Sequence, residues 1–238
     1  MRLYIFKIPR NVAKVFCILI LIASWIFAKT NMPDENLPVL WQPIYQAETD
    51  KKIMAFTCNV AWGNEYIPKM LEIFEENGVK ITFFIEGRWA EKNPDLLKLI
   101  HSKGHEIGNH GYSHSHHASL SFDENVNEIK KAEEIIKNII GVKTELFAPP
   151  YGEYGKQTLK AVNALNYKLV MWSIDTIDWK KPGAKYIVDK VIKYAGNGKI
   201  VLMHPTEDTI TALPTIIKNL HQNGYKITTV SDLISEGS

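Results

Sequence analysis

The chain has 238 residues, 45% of them apolar and 23% charged, with 14 Gly and 11 Pro. This composition excludes a disordered tail, a collagen and a coiled coil, and the length is ample for one large domain with a full core. The formal net charge is only +2, which argues against nucleic acid as a partner because that needs a basic face. Two cysteines, Cys17 and Cys58, make no disulfide framework.

Residues 1–30 differ from the rest. Arg2, Lys7, Arg10 and Lys14 form a basic flank, and Val15 to Ala28 carries no charge. Counted from Asn11, the stretch barely reaches the roughly 17–25 residues that cross a bilayer. It reads as a signal anchor with a cytoplasmic N-terminus, or as a signal peptide cleaved after Ala28. The large Phe27 beside that position favours the anchor. Either reading exports the remainder of the chain: a cell-membrane protein with an extracytoplasmic domain, or a secreted one if cleaved. Residues 31–50, with Pro33, Pro38 and Pro43, show no periodicity and read as a stalk.

A domain over 51–238 then alternates strand and helix patterns. Strands are expected at Ile53 to Cys58, Val79 to Ile85, Glu106 to Asn109, Glu145 to Ala148, Lys168 to Ile174, Lys199 to Met203 and Lys226 to Val230. Between them lie helical patterns at Tyr66 to Glu76, Pro94 to Ser102, Phe122 to Ile140, Lys156 to Leu165, Ala184 to Tyr194 and Thr211 to Gln222. Asn77-Gly78 and Gly141 act as stop signals. Strands separated by helices make a parallel sheet. The fold class is therefore α/β, with about seven parallel strands that can close into a barrel and chemistry at the C-terminal strand ends.

Polar groups come after nearly every predicted strand. His110 and His114 are four apart, and two imidazoles on one short segment can share a metal ion. His116 and His117 come next and are expected to be exposed. His204 ends the apolar run Ile200 to Met203, a placement suited to proton transfer. Asp175 and Asp178 lie beside Trp179, and one of them could orient His204, the other forming a turn. Trp62, Tyr151 and Trp179 offer aromatic faces for sugar rings.

Together these residues resemble the polysaccharide deacetylase family, whose catalytic unit is the NodB homology domain, over about residues 51 to 235. Members remove acetyl groups from N-acetylated sugars of peptidoglycan, chitin or related glycans, using a distorted β/α barrel and a divalent metal, often zinc. The family's second motif is matched by His110-Gly111-Tyr112-Ser113-His114, which implies that His110 and His114 bind the metal. The third is matched by Pro149-Pro150-Tyr151-Gly152, implying a Tyr151 backbone N–H that stabilises an oxyanion. The fourth corresponds to Asp175 through Asp178-Trp179, and the fifth to Leu202-Met203-His204, with His204 as general acid. Cell-wall glycan would lie against Tyr151, Trp179, Leu202 and Trp62.

The first motif departs from the family. Thr57-Cys58-Asn59-Val60-Ala61 stands where members read Thr-Phe-Asp-Asp-Gly. Asn59 replaces the general base, Val60 replaces the third metal ligand, and Ala148 replaces the arginine that pairs with the base. These losses fit one another, since keeping either partner of a buried pair alone is unfavourable by several kcal/mol. Asn59 to Tyr66, Ala148 to Pro150, Thr176 to Trp179 and Leu202 to Thr206 are similar to a subgroup associated with endospore formation.

Two readings stay open. One is a metal-dependent hydrolase of non-peptide carbon–nitrogen bonds whose base and third ligand come from Glu65, Asp175 or Asp178. The other is a catalytically impaired glycan-binding relative acting in wall or spore assembly. A glycosidase needs two carboxylates about 5–9.5 Å apart across the scissile bond. Asp175 and Asp178 share one loop, so that reading ranks last.

Overall fold

A computed structural model describes residues 42–236. The apolar segment expected at 1–30 lies outside them. Among the described residues no helix is long and apolar enough to cross a membrane.

The strands are β1 (Ile53–Val60), β2 (Thr82–Ile85), β3 (Glu106–Asn109), β4 (Leu146–Phe147), β5 (Lys168–Leu169), β6 (Ile174–Asp175), β7 (Ile200–Met203) and β8 (Lys226–Thr228). The helices are α1 (Ile67–Glu76), α2 (Gly87–Lys92), α3 (Pro94–Ser102), α4 (Phe122–Ile140), α5 (Lys156–Ala164), α6 (Ala184–Tyr194), α7 (Glu207–Gln222) and α8 (Val230–Glu236). Seven strands lie side by side in the order β5-β4-β3-β2-β1-β7-β6, and β8 also pairs with β1. Every pairing between named strands is parallel. Ala55 pairs with both Ile200 and Thr228, so β8 occupies the lower half of the β1 edge whose upper half belongs to β2.

Local chemistry sets the helix ends. Ser121 and Glu124 form a reciprocal capping box at the start of α4, and Gly141, at φ +76, closes it. Thr206 caps α7 by accepting a hydrogen bond from the Thr209 N–H, which starts that helix four residues before the expected Thr211. The apolar periodicity hides this start, although Glu207 and Asp208 in the first turn signal it.

Both faces of β1 are buried. Met54, Phe56, Cys58 and Val60 join the cluster shared with the outer helices. Ile53 and Ala55 join a second cluster inside the curl, with Phe84, Ile200 and Val230. This alternation is the period of two that a strand imposes.

Three expectations change. The strand expected over Lys168 to Ile174 is two short strands, because residues 170–173 cross from one sheet edge to the other. β5 and β6 are not paired with each other, so the curl stays an open half-barrel. The stretch 44–47, which sequence alone leaves in an aperiodic segment, bonds along that seam. The Ile44 N–H donates to Leu169 O, the Met171 N–H to Ile44 O and the Ala47 N–H to Gly198 O, at 2.8–2.9 Å. Lone backbone pairing of this kind leaves no periodic signature in the side chains.

The seam requires glycine at 198, where φ is +73 and a Cβ would run into the Ala47 carbonyl. Gly198→Ala should lose about 2 kcal/mol or more, or roughly 4–8 °C in melting temperature for a domain of this size. Gly196→Ala, which has room, should melt close to the parent.

Candidate active site

The C-terminal strand ends surround a cavity of about 370 Å³. His110, His114, Asp175, His204, Tyr151, Trp179, Leu202 and Trp62 line it, with Asn59 and Trp172. Asp178 lies behind His204 and is fully buried.

His110 comes directly after β3 and is 2% exposed. Its Nδ1 is 2.7 Å from the Ala148 carbonyl oxygen. A carbonyl only accepts, so Nδ1 carries the hydrogen and Nε2 keeps its lone pair. Burial, and then the neighbouring His114, holds His110 well below the usual imidazole range. His114 is lowered as well, chiefly by burial. The two rings meet edge to face with centroids 5.2 Å apart.

Their loop is braced from two sides. Glu128 of α4 accepts hydrogen bonds from the Tyr112 N–H, the Ser113 N–H and the Ser113 hydroxyl. The Gly87 and Arg88 N–H groups at the start of α2 donate to the Gly111 and Tyr112 carbonyls. This bracing holds His114 at φ +55, a strained value for a residue with a side chain.

Asp178 clamps His204. Its Oδ1 is 2.8 Å from His204 Nδ1, and its Oδ2 accepts from the His204 N–H and the Thr209 hydroxyl, both at 2.6 Å. Trp62 stacks on the His204 ring at 5.9 Å with planes 7° apart. Asp175 has the other role: its Oδ1 accepts from the Ile177 N–H and shapes the turn. Tyr151 sits at φ +60 between Pro150 and Gly152. The His116 ring stacks on it at 4.1 Å.

Several sequence expectations are not met. Glu65 is exposed and lines a separate groove with Glu86 and Arg88, because Gly63, at φ +81, turns the chain away against Pro205. His117 is fully buried, with Nδ1 2.7 Å from Asn125 Oδ1. Val60 is fully buried, belongs to the outer cluster and does not line the cavity. Among the described residues no group of three or more His, Cys, Asp or Glu is placed to hold a metal ion. Two imidazoles alone do not fit the three protein ligands a catalytic zinc takes.

Sequence pattern alone does not point to Glu128, Thr209 or Trp172. Glu128 acts from a helix later in the chain than the loop it braces, and Thr209 bonds an Asp178 that lies well before it. Trp172 falls inside the single strand expected over Lys168 to Ile174.

The polysaccharide deacetylase profile matches residues 46–170. The chain belongs to the polysaccharide deacetylase family. It is 42% identical over 195 residues to YlxY of Bacillus subtilis, covering 82% of this chain and 61% of that protein. It is 37% identical over 174 residues to a peptidoglycan-N-acetylglucosamine deacetylase of Bacillus cereus, covering 71% and 63%. The chain therefore spans about three fifths of the length of these relatives. BA3943 of Bacillus anthracis, a CE4 family pseudoenzyme, superposes with a TM-score of 0.81 at 40% identity, over 85% of this chain and 71% of that one. A BA3943 mutant with restored enzymatic activity matches with a TM-score of 0.81 at 38% identity, over 85% and 74%. Members of the family are hydrolases acting on N-acetyl carbon–nitrogen bonds.

The buried histidines make a pH prediction. His105, 4% exposed, packs edge-on against Phe74 and Phe83. Burial, and then Lys80, lowers its pKa to about 4. The unfolded chain titrates near 6.5, so between about pH 6.5 and 4 the unfolded state binds more protons. Stability should fall as pH drops through that window, by about 3 kcal/mol for His105 alone. Melting temperatures across this range should show the fall, and His105→Gln should show a shallower slope.

Proposed function

We propose that this chain is a cell-wall glycan-binding member of the deacetylase family whose hydrolytic centre is incomplete. The replacements at the ends of β1 and β4 carry the reading. Asn59 stands in the place of the base, and an amide takes no proton at neutral pH. Val60 stands in the place of the third ligand, and Ala148 in that of the arginine. A divalent cation, zinc by the family resemblance, would find His110 and His114 here, and among the described residues no group of three donors is placed to hold it. The 40% identity to the pseudoenzyme BA3943 supports the same reading.

Glycan as the ligand is supported by the relatives that deacetylate peptidoglycan and by the rim. Trp62, Tyr151 and Trp179 are 44%, 57% and 52% exposed, apolar faces beside polar groups that suit sugar rings. The resemblance to a spore-associated subgroup supports action in wall or spore assembly, outside the membrane, with residues 1–30 as an anchor or as a cleaved signal peptide.

The Asp178–His204 pair favours a second reading, a working deacetylase, and one assay separates the two. The full chain should bind peptidoglycan and release no acetate from it or from chitin oligomers. A variant carrying Asn59→Asp, Val60→Asp and Ala148→Arg should gain acetate release and retain about one metal ion per chain after dialysis, whereas the parent retains none. Acetate release by the parent that His204→Ala abolishes would establish the working enzyme instead.

A further inference from the structure

We propose that the outer face of α6 docks the domain on an anionic lipid surface, its lysines against the headgroups and Tyr186 and Tyr194 at the headgroup level. This surface lies apart from the cavity, and the inference does not depend on what the cavity binds.

Residues 180–194 hold five lysines and one aspartate, a net +4 in a chain whose formal total is +2. The aspartate, Asp189, is already paired with Lys185 at 2.6 Å. Among the described residues neither Lys190 nor Lys193 forms an ion pair.

Helical spacing gathers these groups on one side. Ile187 and Val191 point into the core and are 1% and 0% exposed. Tyr186, Lys190 and Lys193, four and three residues apart, share the opposite face, and Tyr194 borders it. The Lys190 ammonium lies 5.7 Å from the Tyr186 ring centroid, and that of Lys193 lies 5.2 Å from Tyr194. Tyr186 and Tyr194 are 45% and 52% exposed. The other large apolar side chains exposed among the described residues are engaged elsewhere. Trp62, Tyr151 and Trp179 line the cavity, and the Tyr45 and Tyr154 hydroxyls are 2.9 Å apart.

Lysines alone would suit any polyanion. Aromatic rings set among them suit a lipid interface, where tyrosine buries its ring at the headgroups and keeps its hydroxyl in water. Lysines near anionic headgroups add electrostatic attraction. The entry of the chain points to the same side. Lys199 Nζ donates to Gln46 Oε1 at 2.6 Å, and the Ala47 N–H donates to Gly198 O. The segment that leads in from the N-terminus therefore joins the domain within five residues of Tyr194. No residue of α6 lines the cavity, so docking on this face leaves the cavity open.

The test is amine acetylation of the full chain, read at each lysine by mass spectrometry. Vesicles are phosphatidylcholine alone or phosphatidylcholine mixed with phosphatidylglycerol, lipids without a primary amine. With phosphatidylglycerol, Lys185, Lys190 and Lys193 should react about five to ten times more slowly, and Lys98 of α3 at an unchanged rate. Salt at about 1 M should remove the slowing. Residues 1–30 are the same in every arm, so their insertion does not produce the difference. Lys190→Glu with Lys193→Glu should abolish the slowing at Lys185. Tyr186→Ser with Tyr194→Ser should weaken slowing by vesicles and leave slowing by soluble polyphosphate unchanged. Equal rates with the two kinds of vesicle would overturn the inference, and so would slowing as strong at Lys98 as at Lys190. Polyphosphate that slows these lysines as well as vesicles do, with vesicle slowing untouched by the tyrosine substitutions, would overturn it in favour of a phosphate polymer. The vesicle comparison uses the native chain, so it holds even if a variant does not fold.

Discussion

Strand β1 pairs with β2 and β7, with β8 completing one edge, and apolar clusters on its two faces leave all of its residues buried. The outer face accepts this readily, since Met54, Phe56, Cys58 and Val60 join the apolar cluster shared with the helices. The inner face changes character along its length, from Ile53 and Ala55 to Thr57 and Asn59. A polar atom in that setting must find a partner. The Thr57 hydroxyl donates to the Val201 carbonyl, but Asn59 Oδ1 has no protein partner. The same enclosure limits which residue can stand at 59. A carboxylate there would be a buried charge, and a buried charge left without a partner is unfavourable by about 3–5 kcal/mol. An amide has the same shape and carries no charge.

Around this floor the rim is held rigid. Non-glycine residues with positive φ include His114, Tyr151, Ile177 and Lys181. His114 and Tyr151 line the cavity, and the other two flank the turn Asp178–Lys180. Each such residue stores of order 1–3 kcal/mol of strain and persists only where its surroundings enforce it. Two carboxylates supply much of that enforcement. Glu128 gathers the donors of residues 112 and 113, and Asp178 gathers those of 204 and 209. Cavity walls fixed before a ligand arrives lose little entropy on binding, which favours recognition with or without chemistry.

Much of this is legible in the chain. Strand–helix alternation points to the parallel sheet, because long amphipathic helices such as Phe122–Ile140 and apolar runs such as Ile200–Met203 have unmistakable periods. Polar residues just past the strands identify most of the cavity lining. What stays hidden depends on contacts between distant segments. The seam at 44–47 uses backbone groups that every residue has. Glu128 is one of several charges on its helix until the fold sets it behind the histidine loop. Glu65 misleads for the converse reason: a left-handed glycine two residues earlier turns it away, and closeness in sequence to Asn59 cannot show that.

The Asp178–His204 pair is the strongest argument for surviving hydrolysis, and the geometry gives it another cause. Asp178 is fully buried, and its carboxylate ties three pieces of chain together: the turn that contains it, the end of β7 at His204 and the first turn of α7 at Thr209. Without it, a backbone N–H, an imidazole nitrogen and a hydroxyl would lose their partner in the interior, each an unfavourable loss of about 1–3 kcal/mol. His204 in turn carries the stacked Trp62, an exposed aromatic of the rim. A glycan-binding protein built on this frame therefore needs both residues for its shape. Asn59 Oδ1 ties no other segment of the described residues, so position 59 can change while the clamp stays. The pair is thus explained by folding alone, and the case against hydrolysis rests on what the family resemblance implies for Asn59, Val60 and Ala148.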